Sequence, residues 1–167
     1  ARSLERYSHG SLLAEKQGIQ WLIADSAMEI YQCKLMILHA ASKIDAGEDF
    51  RQEVSMSKHF VANSLNRIID RAIQVDPYRR EVHELRARLA SLQNDTAAAV
   101  VENEVIVTLE VDDPVEARTN LAEAYLNNGD TALAKRNVLS ALEIAPSYAR
   151  AQKILLQTVA VANENDD

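Results

Sequence analysis

The chain has 167 residues, 47% of them apolar, with only 4 Gly and 3 Pro and a formal net charge of −7. That length fits one ordinary domain or two small ones, and the scarcity of turn-formers favours long helices with short links. The acidic balance argues against nucleic acid, and no run of about 18 apolar residues is present to span a membrane. Cys33 is alone, which excludes an intrachain disulfide framework and a thiolate metal site. Ala1 to Arg6 lacks the apolar centre of a signal peptide. A cytoplasmic setting is compatible, although the sequence assigns no compartment. The charge is unevenly spread: residues 1–75 balance 9 bases against 9 acids, whereas residues 76–167 carry 9 bases and 16 acids. This step suggests two segments of different origin.

In chain order, Gly10 closes a short N-terminal helical stub. From about Leu12 to Ala46, Ile19, Leu22, Ile23, Ile30, Cys33, Ile37 and Ile44 recur at three- and four-residue steps, predicting one long helix with these residues on its packed face. Ala46-Gly47-Glu48-Asp49 supplies a stop, with Gly47 suited to the left-handed position after a helix. A second helix carries Val54, Val61, Leu65, Ile68 and Ala72 on one face and completes an antiparallel hairpin. Asp76-Pro77 breaks it. Helices are then expected near 79–93, 96–110, 115–127, 131–144 and 148–162, punctuated by Asp113-Pro114, Asn128-Gly129-Asp130 and Ala145-Pro146. Residues 163–167 are expected to fray. No strand is expected, and Val105-Ile106-Val107 reads as the end of a helix.

Glu5-Arg6-Tyr7-Ser8-His9-Gly10 and Leu12-Leu13-Ala14-Glu15-Lys16-Gln17-Gly18-Ile19-Gln20 resemble the C-terminal helical domain of acyl-CoA dehydrogenases. The likeness continues through Leu22-Ile23-Ala24-Asp25, His39-Ala40-Ala41, Ser55-Met56-Ser57-Lys58 and Ala72-Ile73-Gln74. The resemblance implies a helical bundle and a subunit interface. It also implies that an arginine at Arg6 and a glutamine at Gln17 would commonly contact FAD. Two departures matter: His9 replaces the usual aromatic, and the likeness stops at Gln74. There the family continues into a glycine-rich turn, followed in many members by a catalytic glutamate, and this chain reads Val75-Asp76-Pro77-Tyr78 instead. The family's N-terminal helical and middle β domains are also missing from the sequence, so Arg6 and Gln17 are expected to be inherited surface residues with no cofactor.

Residues 115–146 resemble a tetratricopeptide repeat, with Leu121, Ala122, Tyr125, Gly129, Ala134, Ala141 and Pro146 at signature positions. Small Ala122 and Ala134 allow close helix approach, Tyr125 fills a groove and Gly129 permits the turn. Residues 79–112 form a degenerate preceding unit in which Leu85, Leu89 and the Asn94-Asp95 turn fit, and Ser147 onward resembles a capping helix. By that resemblance a peptide would lie on the concave face at Thr119, Asn120, Glu123 and Asn127. That face reads as neutral to acidic, short of the Lys and Arg that an acidic peptide terminus needs.

Ala72-Ile73-Gln74-Val75-Asp76-Pro77 suits the end of either pattern, as though one helix belonged to both parents. The expected fold is therefore all-α: a long antiparallel hairpin (1–75) running through a shared helix into a tetratricopeptide-like array (76–162), about seven helices in one continuous core. His9, His39, His59 and His83 show no ligand spacing, so no metal site is expected. No phosphate loop, nucleophile elbow or acid–base pocket is recognisable, and no catalytic residue is assigned. Trp21, Met28 and Met36 read as core or interface residues. These features favour an engineered or recombined helical scaffold without enzymatic activity. A peptide-binding repeat module and a truncated flavoprotein are the alternatives. No partner is required, although self-association would cover apolar area that the dehydrogenase-like helices lose with their usual neighbours.

Overall fold

A computed structural model describes residues 2–8, 10–109 and 112–164. The fold is all-α, with seven α-helices among the described residues, and its contacts divide the chain into two compact units, Ala1–Pro77 and Tyr78–Asp167.

The first unit opens differently from the expected helical stub. A 3-10 turn at Arg2–Leu4 leads into a small antiparallel ladder, β1 (Tyr7–Ser8) with β2 (Ser11–Leu12), and Gly10 in the link has φ +81°. His9, the departure from the dehydrogenase pattern, lies outside the described residues. The Leu13 N–H donates to the Arg6 carbonyl at 2.8 Å, and Lys16 is extended, so α1 starts at Gln17 and runs to Asp45. Leu12 to Glu15 have good helical propensity. Leu13–Glu15 closes only a single 3-10 turn, and the pairing of Leu12 and Leu13 back to Tyr7 and Arg6 keeps it separate from α1 against that weak local preference.

The α1 stop forms as expected. Gly47 sits at φ +71°, its N–H bonding the Ile44 carbonyl and that of Glu48 reaching the Lys43 carbonyl, both at 3.0 Å. This double closure satisfies carbonyls that the helix end leaves open. Helix α2 (Arg51–Val75) returns alongside α1 and ends at Asp76.

The seam between α1 and α2 keeps only part of the apolar stripe that periodicity suggests: Ile19, Leu22 and Cys33 of α1 and Val61, Ile68 and Ala72 of α2 are half-buried. Ile23, Ile30, Ile37 and Ile44 of α1 are exposed, as are Val54 and Leu65 of α2. The buried positions of these two helices are mostly small, Ala40, Ser57 and Ser64, with Ile69 as the large apolar residue among them. Beside them Glu29 accepts from Arg67 at 2.7 Å and from Arg71 at 2.9 Å, and Lys43 meets Glu53 at 2.6 Å. The ion pairs help select which face of a helix with apolar residues on several sides turns inward. Trp21 (62% exposed) and Met28 are consequently not core residues.

The second unit holds α3 (Arg80–Leu92), α4 (Thr96–Thr108), α5 (Pro114–Asn128), α6 (Thr131–Ile144) and α7 (Ala149–Glu164). Every helix expected here forms, and Val105 to Val107 lie inside α4. Asp95 caps α4 by accepting from the Ala98 N–H at 3.0 Å. Asp113 caps α5 by accepting from Val115 and Glu116, with Pro114 in the first turn. Helix α7 extends to Glu164, so Asn163 and Glu164 are helical where fraying was expected, and 165–167 lie outside the described residues.

Its core is built from small side chains. Ala122, Ala134, Val138, Ala141 and Ala151 are fully buried, with Leu121, Tyr125 and Ile154 around them. Leu89 is buried as expected, but Leu85 is exposed. Among the described residues no helix is long and apolar enough to cross a membrane, and no group of His, Cys, Asp and Glu could hold a metal ion.

Candidate functional site

The second unit carries a cleft of about 630 Å³ lined by α3, α4, α5 and the start of α7. Its wall follows from helix periodicity. Successive turns of α5 present Glu116, Asn120, Glu123 and Asn127 at three- and four-residue steps, and α3 presents Arg80, Glu84 and Arg88 in the same way. Ala87, Ala117 and Ala124 lie between them, and their short side chains leave the space open.

Three of the four residues expected on this face line the cleft: Asn120, Glu123 and Asn127. Thr119 does not. It is fully buried, and its Oγ1 donates to the Val115 carbonyl at 2.7 Å, because one residue along a helix turns the side chain about 100° away.

The cleft is also less purely acidic than the α5 sequence suggests, because Arg80 and Arg88 arrive from α3 and Arg150 from α7. Arg80 meets Glu84 at 3.1 Å and Asp112 at 3.4 Å, while Arg150 pairs with Glu123. These arginines were detectable in principle: the first helix of the degenerate unit and the capping helix had to be laid on the same face as α5. Asn103, from α4, is 8% exposed and lines the cleft, with its Nδ2 donating to the Ala99 carbonyl at 2.8 Å.

Behind this wall, polar contacts fix the helix stack. The Tyr125 hydroxyl donates to Glu104, and that hydrogen bond, with burial, pushes the phenol pKa up to about 12. His83 is buried, and its Nδ1 lies 2.7 Å from Glu102. Within the first unit, His59 contacts Asn63 and His39 is exposed.

The residues resembling flavin contacts occupy a different setting. Arg6 and Gln17 are both exposed, and neither lines the cleft.

Residues 1–76 match the family model of the acyl-CoA dehydrogenase C-terminal domain. The match ends one residue before the boundary of the first unit. Curated relatives include the caffeyl-CoA reductase-Etf complex subunit CarC of Acetobacterium woodii, 34% identical over 71 residues, covering 42% of this chain and 19% of that protein. The (R)-benzylsuccinyl-CoA dehydrogenase of Thauera aromatica is 39% identical over 71 residues, covering 42% and 18%. The 3-sulfinopropanoyl-CoA desulfinase of Variovorax paradoxus is 29% identical over 103 residues, covering 55% of this chain and 25% of the relative. That last span is longer than the first unit. The chain thus spans between about a sixth and a quarter of the length of these relatives, and the family match falls on the first unit.

Proposed function

We propose that this chain acts as a binding module through the cleft of its second unit, taking a peptide as tetratricopeptide-like arrays do, and that it performs no acyl-CoA chemistry. The observation that carries the reading is the row Asn120, Glu123 and Asn127 on α5, opposite the arginines of α3 in an open cleft. Side-chain amides spaced along a helix offer both donors and acceptors to a peptide backbone. Against catalysis stand the loss of the dehydrogenase pattern at Gln74 and the exposure of Arg6 and Gln17. Peptide binding is tested by calorimetric titration of peptides selected from a random library. Saturable affinity that weakens roughly fivefold or more in Asn120→Ala supports it, as for a contact worth about 1 kcal/mol. Affinity indifferent to Asn120→Ala, Glu123→Ala and Asn127→Ala would sink it.

A second reading, a flavoprotein remnant, is favoured by the dehydrogenase match over residues 1–76. It predicts flavin absorbance in the purified protein or uptake of added FAD, and turnover of an acyl-CoA with an electron acceptor would overturn the non-catalytic reading. The proposal that two helical segments of separate origin were spliced near the end of α2, by recombination or by design, draws support from the charge step and the end of the family match. The exposed apolar residues of α1 are consistent with self-association, which light scattering would measure.

A further inference from the structure

We infer that the cleft takes a peptide of mixed charge, with Lys or Arg side chains over the first turn of α5 and an acidic side chain at Arg88; this rests on the peptide-binding reading above. The charges lining the cleft are largely spent on one another, and what remains unspent is polarised. Arg150 is paired with Glu123, and Arg80 is shared between Glu84 and Asp112. Glu116 makes no side-chain hydrogen bond or ion pair with a described residue, and Asp113 spends only its Oδ1 on capping α5. Two carboxylates against the single Arg80, with Glu116 and Asp113 beside them, leave the start of α3 and α5 electronegative. In the second half of α3, Arg88 likewise makes no hydrogen bond or ion pair with a described residue. Helices α3 and α5 both pack on α4 through short links and so run in the same direction, which sets the two kinds of charge toward opposite ends of the cleft.

Between those ends lies a polar floor that lacks partners. Asn103 is nine-tenths buried, and with its Nδ2 on Ala99 its Oδ1 accepts from no described residue. Asn120 and Asn127 also make no side-chain hydrogen bond with a described residue. An acceptor left open at the floor of a cleft can take a donor such as a peptide N–H. Glu116 to Asn127 spans about 16 Å of helix, matching roughly five residues of extended peptide. The floor therefore holds backbone, and the charges at its ends set the direction of the chain.

The test is panning of a random dodecapeptide library on the whole chain, followed by sequencing of the selected pool. Joint enrichment of basic and acidic residues at a fixed spacing is expected. Titration of a selected peptide should show roughly fivefold weaker binding to Glu116→Gln or to Arg88→Ala, about the loss of one charge contact. Reselection on Glu116→Lys should remove the basic preference, and on Arg88→Glu the acidic one, with circular dichroism unchanged. A pool rich in apolar residues or in one sign of charge, or unaltered by these substitutions, overturns the mixed-charge inference and leaves peptide binding standing. No enrichment over the unselected library overturns both.

Discussion

The two units solve helix packing by opposite means. In the second, fully buried Ala122, Ala134, Val138, Ala141 and Ala151 let helices approach closely, and most charged residues stay on the rim or in the cleft, with the buried contact of His83 and Glu102 the exception. In the first, the α1–α2 seam holds Ala40, Ser57 and Ser64 beside Glu29, Arg71, Lys43 and Glu53, while Trp21, Tyr31, Leu35 and Leu38 face outward. Buried small apolar residues gain stability from close contact over their whole surface. Ion pairs add little net stability but penalise the wrong helix face, because a partner left alone in the seam is costly. The second unit is thus expected to be intrinsically more stable, and the first to be oriented by its charges.

The largest test of this contrast is Val138→Asp. An uncompensated carboxylate at a fully buried position should cost on the order of 3–5 kcal/mol, read as loss of amide-exchange protection throughout α5, α6 and α7. Little change in protection would mean that the core of the second unit is not the source of its stability.

Charge should separate the units by pH as well. The hydrogen bond from Arg71, followed by that from Arg67, holds the Glu29 carboxyl below its ordinary value. A depressed pKa contributes stability above the unfolded value, and that stability is lost as pH falls from about 4.5 downward. Glu29→Gln should destabilise the first unit by about 1–2 kcal/mol at neutral pH, between exposed and buried pairs, and flatten its acid loss. Tyr125 works in the other direction. Its raised pKa keeps the native phenol neutral while the unfolded one ionises, so stability of the second unit falls as pH rises from about 10 to about 12. Hydrogen exchange resolved by peptide should show acid sensitivity concentrated in α1 and α2 and alkaline sensitivity in α4 and α5. The reverse pattern would break the comparison.

Smaller and equal effects are expected where the units share a device. Gly47 and Gly129 have φ of +71° and +91° with open space around each, so replacement by Ala meets backbone strain alone. Each substitution should cost roughly 1–2 kcal/mol in its own unit. A markedly larger cost at one of them, by denaturant titration, would expose a contact at that turn. The smallest effect is predicted for Leu38→Lys. At 65% exposure its removal should move stability by no more than about 0.5 kcal/mol while lowering any self-association. Strong destabilisation would show that the outer face of α1 is packed in solution.

Legibility followed the range of the forces involved. The helices of the second unit are predicted within a residue or two because Asp95, Asp113-Pro114 and Gly129 act on their nearest neighbours. Asn120, Glu123 and Asn127 were legible for the same reason, since they repeat along one helix. Thr119 was placed on the wrong side by a single residue, and Arg80, Arg88 and Arg150 were missed because the cleft gathers them from helices distant in sequence. At the N-terminus, Leu12 to Glu15 read as the start of the long helix because propensity acts within a turn, whereas the pairing of Leu12 and Leu13 back to Tyr7 and Arg6, which leaves Leu13–Glu15 a separate 3-10 turn, reaches further.

Sequence by itself therefore determined the all-α class, the helix ends in the second unit, the turn at Gly47 and the dehydrogenase-like character of about residues 2–75, because caps, breakers and periodic runs act through adjacent turns. Tertiary structure alone decided which face of α1 meets α2 and which charges share the cleft. Apolar residues on several sides of α1 offer competing faces. Only the position of Arg67 and Arg71 opposite Glu29 chooses among them.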